Sequence, residues 1–242
     1  MPGAEGSGTG IPAAGVRSMS QAEVKPGRAP FERWEFEAAP KSLLHVGRSA
    51  NALVWRTELG GRVWTVKDFA VRNRFVRGTI APGLIWREVR AAARLHGIDG
   101  ITDAAFRIDG PAAVMAYIDG RSLNLAPREA VTVEYLERLE RLIGEMHARG
   151  VVHLDLRGRG NVLVRSDGTP AIIDFQSALF TDRMPARLRR TLEAIDLSGA
   201  FKKWLDYQPD AMGEERRRRL ERINRIRRLW FFRGYCGIQR RK

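Results

Sequence analysis

The stretch Val151-Val152-His153-Leu154-Asp155-Leu156-Arg157-Gly158-Arg159-Gly160-Asn161-Val162-Leu163-Val164, followed after a polar turn by Ile172-Ile173-Asp174-Phe175, decides how this chain is read. Two short apolar runs, 161–165 and 171–175, flank Ser166-Asp167-Gly168-Thr169, whose composition favours a tight turn, so the runs pair as a hairpin. Asp155, Asn161 and Asp174 then lie on loops bordering that hairpin and converge at one end of it. Two carboxylates and an amide offer only oxygen donors, which suits magnesium. No His/Cys cluster competes for a softer metal. Upstream, 134–149 is predicted as a helix, with Leu136, Leu139, Leu142, Ile143 and Met146 on one stripe and Gly150 where such a helix stops.

Phosphoryl transfer uses such a set. One carboxylate holds the ion, an amide oxygen ligates the same or a second ion, and the other carboxylate orients the attacking hydroxyl. The residues resemble the catalytic loop of protein kinases, His-x-Asp-Leu-x-x-x-Asn, and their Asp-Phe-Gly metal motif one strand and turn later. The likeness extends upstream through Leu142, His147 and Gly150. It implies Asp155 as the catalytic aspartate, Asn161 as a magnesium ligand and Asp174 as the principal one. Arg157 takes the place of the loop lysine that neutralises the transferred phosphate. Three departures stand out. The Asp155–Asn161 gap is one residue wider than in the pattern. Leu154 replaces the arginine that reads an activation-loop phosphate, which argues against that form of control. Gln176 replaces the metal-motif glycine, which argues against a flipping metal loop.

The nucleotide side follows the same resemblance. Gly47-Arg48-Ser49-Ala50-Asn51-Ala52-Leu53-Val54 keeps the register of Gly-x-Gly-x-x-Gly-x-Val, with Gly47, Ser49 and Val54 in the phosphate-covering positions. Small residues there still let backbone approach phosphate. Lys67 lies on the next predicted strand as the phosphate-pairing lysine, and Glu88, on the helix after it, as its partner; Asp68 and Glu58 are nearby alternatives. Met115–Leu123 resembles the hinge between lobes, where backbone from Ala116 to Ile118 meets the adenine edge. Met115 lines the adenine pocket or is plain core.

Around these motifs the chain divides into a Gly/Ala/Pro-rich segment, 1–30, expected to be disordered; a small lobe, 31–118; a large lobe, 119–213; and a basic amphipathic tail, 214–242. Predicted strands at 43–46, 52–57, 62–69, 104–108 and 112–117, with one helix over 84–96, make the small lobe an antiparallel sheet. Helices over 186–204 and 214–230 complete the chain. The fold class expected is α+β: a two-lobed, protein-kinase-like fold whose C-lobe is reduced and mainly helical. The segment after Asp174 is short and lacks an Ala-Pro-Glu motif. That resembles the compact branch of the superfamily, RIO-type kinases and bacterial lipopolysaccharide-core sugar kinases. ATP and magnesium are the implied cofactors, and the implied acceptor is a sugar hydroxyl of a glycolipid or a protein Ser/Thr. A pseudokinase acting as a membrane- or RNA-bound scaffold is the alternative. Asp196 is placed to anchor the catalytic-loop backbone, or is an ordinary exposed acid.

Composition adds the location of charge. The net charge is +14, and from Arg216 to Lys242 twelve Arg/Lys face one acid, Glu221, so the tail holds nearly all of it. Leu220, Ile223 and Trp230 recur at helical spacing within it. Such a helix can lie on an anionic membrane surface, pack on the large lobe with its arginines solvated, or bind nucleic acid, for which no accompanying motif is present. The lone cysteine, Cys236, makes neither an intramolecular disulfide nor a multi-cysteine zinc site. With no apolar run of membrane-spanning length and no signal-peptide pattern, the chain is expected in the cytoplasm, or peripherally on the inner face of the membrane.

Overall fold

The computed structural model describes residues 29–46 and 51–229. The expected disorder of 1–30 therefore falls almost wholly outside the described residues, as do Gly47, Ser49 and the end of the tail. Within them the chain is α+β and two-lobed, as a kinase-like fold requires.

The small lobe is one antiparallel sheet in the order β1-β2-β3-β5-β4. Its strands are β1 Lys41–Val46, β2 Leu53–Leu59, β3 Arg62–Asp68, β4 Ala105–Arg107 and β5 Ala112–Ala116. Gly60 and Gly61 both take positive φ, 60° and 73°, which is what a two-residue hairpin turn matching the strand twist demands. Strand alternation then sorts β3 between two faces. Trp64 and Val66 face one side, where Phe31, Phe36 and Phe106 complete an aromatic cluster under helix α1, Arg33–Ala38. Arg33 of this helix is tied to Asp68 and Asp109, so Asp68 is already committed as a structural acid. The opposite face carries Lys67 and packs on helix α2, Ala81–Arg94, through Ala52, Phe69, Ala81, Ile85 and Ala113. The helix starts three residues before the sequence places it, because a π-helical turn, Val76–Ile80, runs into it and Pro82 is accepted in its first turn.

The large lobe is built on α3, Val133–Ala148, whose buried stripe is the one read from the sequence. Thr132 caps its start by accepting the Tyr135 amide, and Gly150, at φ 70°, follows its end. Short strands β6 (Arg121–Ser122), β8 (Val162–Val164) and β9 (Pro170–Ile172) form one sheet. Strands β7 (Val151–Val152) and β10 (Leu179–Phe180) form another. Helix α4, Ala186–Tyr207, and helix α5, Glu214–Leu229, close the lobe.

The basic segment is less of an appendage than its charge implies. Leu220 and Ile223 are buried, and Leu220 joins the main core with Met212 and Trp204. Arg216 lies over the Trp204 ring and pairs with Glu140 of α3. The apolar stripe of α5, in the part whose side chains are described, is thus spent on the lobe and is not available to enter a bilayer; the arginines at 217, 218, 219, 222 and 225 are exposed. No helix among the described residues is long and apolar enough to cross a membrane.

Candidate active site

The cleft between the lobes gathers side chains from four places in the sequence. On the small-lobe side, Lys67 Nζ donates to Oε1 of Glu88 at 2.6 Å and to Oδ1 of Asp174 at 2.7 Å. Lys67 and Glu88 are both buried. Burial alone would depress the lysine, but Asp174 and Glu88 outweigh it and hold its pKa above the ordinary value. Burial works against the Asp174 charge too, and Lys67 overcomes it, so that carboxyl stays below its usual range. Glu88 is pushed up, chiefly by burial, against the pull of Lys67. Its Oε2 is buried without a hydrogen bond among the described residues, and the Gln176 side chain favours the charged form of Glu88. Val54 sits directly across from Lys67 in the β2–β3 register.

Gln176 does more than fill a glycine position. Its carbonyl accepts from Nη1 of Arg87 at 2.8 Å, so α2 is tied to the metal-motif turn directly by Arg87 and, through Lys67, by Glu88. This joins the helix to the segment after Asp174 and holds the lysine pair in place.

On the large-lobe side, Asn161 Nδ2 donates to Oδ2 of Asp155 at 2.9 Å and to its backbone carbonyl at 3.1 Å. The wider gap therefore does not separate the two residues; the additional length is taken up in Arg157–Gly160. Asp155 is open to solvent yet crowded by protein atoms. That desolvation raises its pKa, with Asp174 adding to the rise and His153, Asn161 and Lys203 opposing it. His153 is fully buried, accepts the Asp155 amide on Nδ1 at 3.2 Å and places Nε2 3.0 Å from the Ile173 carbonyl. Those contacts make it a brace between Asp155 and the residue before Asp174. Leu154 and Asp174 are the non-glycine residues of positive φ among those described, at 66° and 69°. Such backbone persists where the surroundings over-determine it, and it clusters at functional sites.

At Leu154 the over-determination comes from α4. Asp196, 1% exposed, accepts the backbone amides of His153 and Leu154 at 2.6 Å each, and its Oδ2 lies 3.2 Å from His147 Nε2. Of the two readings of Asp196, the anchor is the one the coordinates show. Two other sequence expectations are redirected. Arg157 does not reach over the cleft: its guanidinium donates to Oδ1 of Asn224 at 2.8 Å and Oγ of Ser198 at 3.4 Å, which binds it to α5 and α4. In the hinge, the Ala116 amide and carbonyl already serve Ala104 and Thr102, whereas Ile118 makes no backbone hydrogen bond among the described residues. Of these two hinge positions, Ile118 is therefore the one whose backbone stays unpaired among the described residues.

The donor set fits magnesium. Asp174 has Oδ2 beyond its lysine bond, and Asn161 turns its nitrogen to Asp155 and leaves Oδ1 for another partner. No cluster of three or more His, Cys, Asp or Glu suited to a metal occurs among the described residues. Two oxygen ligands match an ion that keeps several waters and takes its remaining contacts from phosphates.

Lys203 is the residue that sequence reasoning passed over. Its buried amine donates to the Leu156 carbonyl, to Gly158 O at 3.0 Å and to Gly199 O at 3.4 Å. It stands at i+7 from Asp196 on the same helix face, a spacing that was there to be noticed.

Residues 57–184 match the model of the phosphotransferase enzyme family, a stretch that includes Lys67, Glu88, Asp155, Asn161 and Asp174. The chain is also 30% identical over 164 residues to a protein of Streptomyces coelicolor described as a probable SapB synthase. That alignment takes in 59% of this chain and 18% of the relative, so the chain spans under a fifth of its length. With the family's stretch covering more than half of its residues, the chain belongs to the phosphotransferase enzyme family.

Proposed function

We propose that the chain is an ATP-dependent kinase that passes the γ-phosphate of Mg-ATP to an acceptor hydroxyl held at Asp155. One observation carries the reading: Lys67 Nζ bridges Glu88 and Asp174 at 2.6 and 2.7 Å, with Asn161 hydrogen-bonded to Asp155 on the facing loop. Asp174 and Asn161 would hold magnesium, which when bound would supply neutralisation of the charge developing on the phosphates, and Lys67 is available to the α- and β-phosphates. Ile118 meets the adenine edge through its backbone. Asp155 accepts the hydroxyl proton as the acceptor oxygen bonds to phosphorus and the bond from phosphorus to the β-phosphate oxygen breaks. Arg157 is bonded to Asn224 and Ser198, toward α5 and α4.

A short link between Asp174 and α4, which begins at Ala186, leaves little platform for an extended peptide. This favours a compact acceptor, a sugar hydroxyl of the lipopolysaccharide-core type, over a protein Ser/Thr. The exposed arginines of α5 support peripheral contact with an anionic surface by charge alone. The test is Mg-dependent ATP turnover by the whole chain, with Asp155→Asn and Asp174→Asn beside it. Turnover falling at least a hundredfold in both supports the kinase; nucleotide binding without turnover, unchanged in the variants, supports the pseudokinase scaffold instead.

A further inference from the structure

The catalytic segment lies along one face of α4, and its polarity is matched group by group. Asp196, Gly199 and Lys203 follow one another at i, i+3 and i+7, hence on one face. The carboxylate takes the amides of His153 and Leu154, and the ammonium takes the carbonyls of Leu156 and Gly158. Between them, Gly199 lets the loop come close: a Cβ there would stand 2.8 Å from the Leu156 carbonyl carbon and oxygen. This is the part of the chain where the loop is one residue wider than the kinase pattern and carries glycines at 158 and 160.

We infer that Lys203 is a positioning residue for phosphoryl transfer, holding the Leu156–Gly158 turn so that Asp155 at one end of the widened loop and Asn161 at the other meet in the cleft. The inference rests on the kinase reading above. A buried lysine amine served, among the described residues, by neutral carbonyls alone is a costly way to fill space, since an apolar side chain of similar volume is often as stable or more so. The cost is visible in the group itself: burial first, then Lys202, Arg157 and Arg159, pull its pKa down to about 7, against the pull of Asp206. The ammonium is also close enough for its charge to act on the Asp155 carboxylate. A residue kept at such cost beside the reacting end of the loop does more than plug a hole.

The test uses the full chain with Lys203→Met and Lys203→Gln, and Lys202→Met as the neighbouring control, scored by ATP hydrolysis in magnesium without added acceptor and by thermal melting. Lys203→Met is expected to lower kcat at least twentyfold, with KM for ATP within about twofold and the melting temperature unchanged or raised. Lys203→Gln, which keeps a donor, is expected to fall between it and the parent, and Lys202→Met to match the parent. Wild-type kcat in Lys203→Met overturns the inference. So does a fall in melting temperature that accounts for the lost activity, and if the Met variant does not fold, Lys203→Gln decides on the same kcat-against-KM criterion. An inactive parent would instead remove the kinase reading and the inference with it; an active parent silenced by Asp155→Asn but not by Lys203→Met would remove the inference alone.

Discussion

The two sides of the cleft are held by different means. On the small-lobe side, charges hold charges: Lys67 sits between Glu88 and Asp174, while Arg87, beside Glu88 on α2, bonds the metal-motif turn. On the large-lobe side, charges hold backbone: Asp196 and Lys203 grip the amides and carbonyls of 153–158 without touching the reacting groups. In the proposed kinase, the first arrangement places phosphates and metal and can tolerate adjustment of long side chains. The second sets the path of the chain itself, so an error there displaces Asp155 and Asn161 together. The comparison predicts that large-lobe substitutions alter kcat, whereas small-lobe ones alter nucleotide affinity.

The largest break should come at Asp196. Asp196→Asn leaves one of two buried amides facing an NH2 group, at a cost of about 1–3 kcal/mol for the unsatisfied donor. The resulting shift of Asp155 should lower kcat on the order of a hundredfold, with little change in KM for ATP; chemical denaturation and steady-state kinetics read both effects. The next effect is one of pH. Lys203 is at about 7 folded against an ordinary 10.5, so between these values the unfolded chain binds the proton and the native one does not. Its contribution to stability therefore rises with pH from about 7 to about 10.5, at no more than about 1.4 kcal/mol per pH unit, and is at its most unfavourable below 7. Denaturation midpoints of parent and Lys203→Met across that range should converge as pH rises. The smallest break is Gly199→Ala. Its added methyl meets the Leu156 backbone at 2.8 Å, and overpacking of this kind costs about 1–3 kcal/mol, with a loss of kcat that tracks the displaced loop.

The same contrast explains what could be read from the sequence. Lys67, Asp155, Asn161 and Asp174 stand in motifs whose spacing is local, and alternation along β3 was enough to turn Lys67 toward α2. The strands, their hairpins and the α3 stripe followed from local signals, whereas the pairing of β3 with β5 that completes the small-lobe sheet did not. The backbone cradle was harder to see. Lys203 sits beside Lys202 in a helix with little amphipathic contrast, where two adjacent lysines look like solvated surface. Only the fold brings them against a loop some forty-five residues upstream, and only one of the pair is buried. Arg157 was assigned by its place in a motif, but α5, which follows far along the chain, presents Asn224 to it. The basic tail stayed open between packing, membrane and nucleic-acid readings for the same reason, because net charge says nothing of which face of a helix is covered. Leu220 and Ile223 look equally suited to a lipid surface or a core until Met212, Trp204 and Glu140 are placed around them.

The account as a whole requires a nucleotide seated against Lys67 and an ion at Asp174. Calorimetric titration of the intact chain with ATP, in magnesium and again in EDTA, for the parent and for Asp174→Asn, addresses this without knowledge of the acceptor. The prediction is binding that weakens at least tenfold when magnesium is withdrawn, and a variant whose affinity no longer responds to the metal. Equal affinity in all four titrations, or no binding by the folded parent, would contradict it.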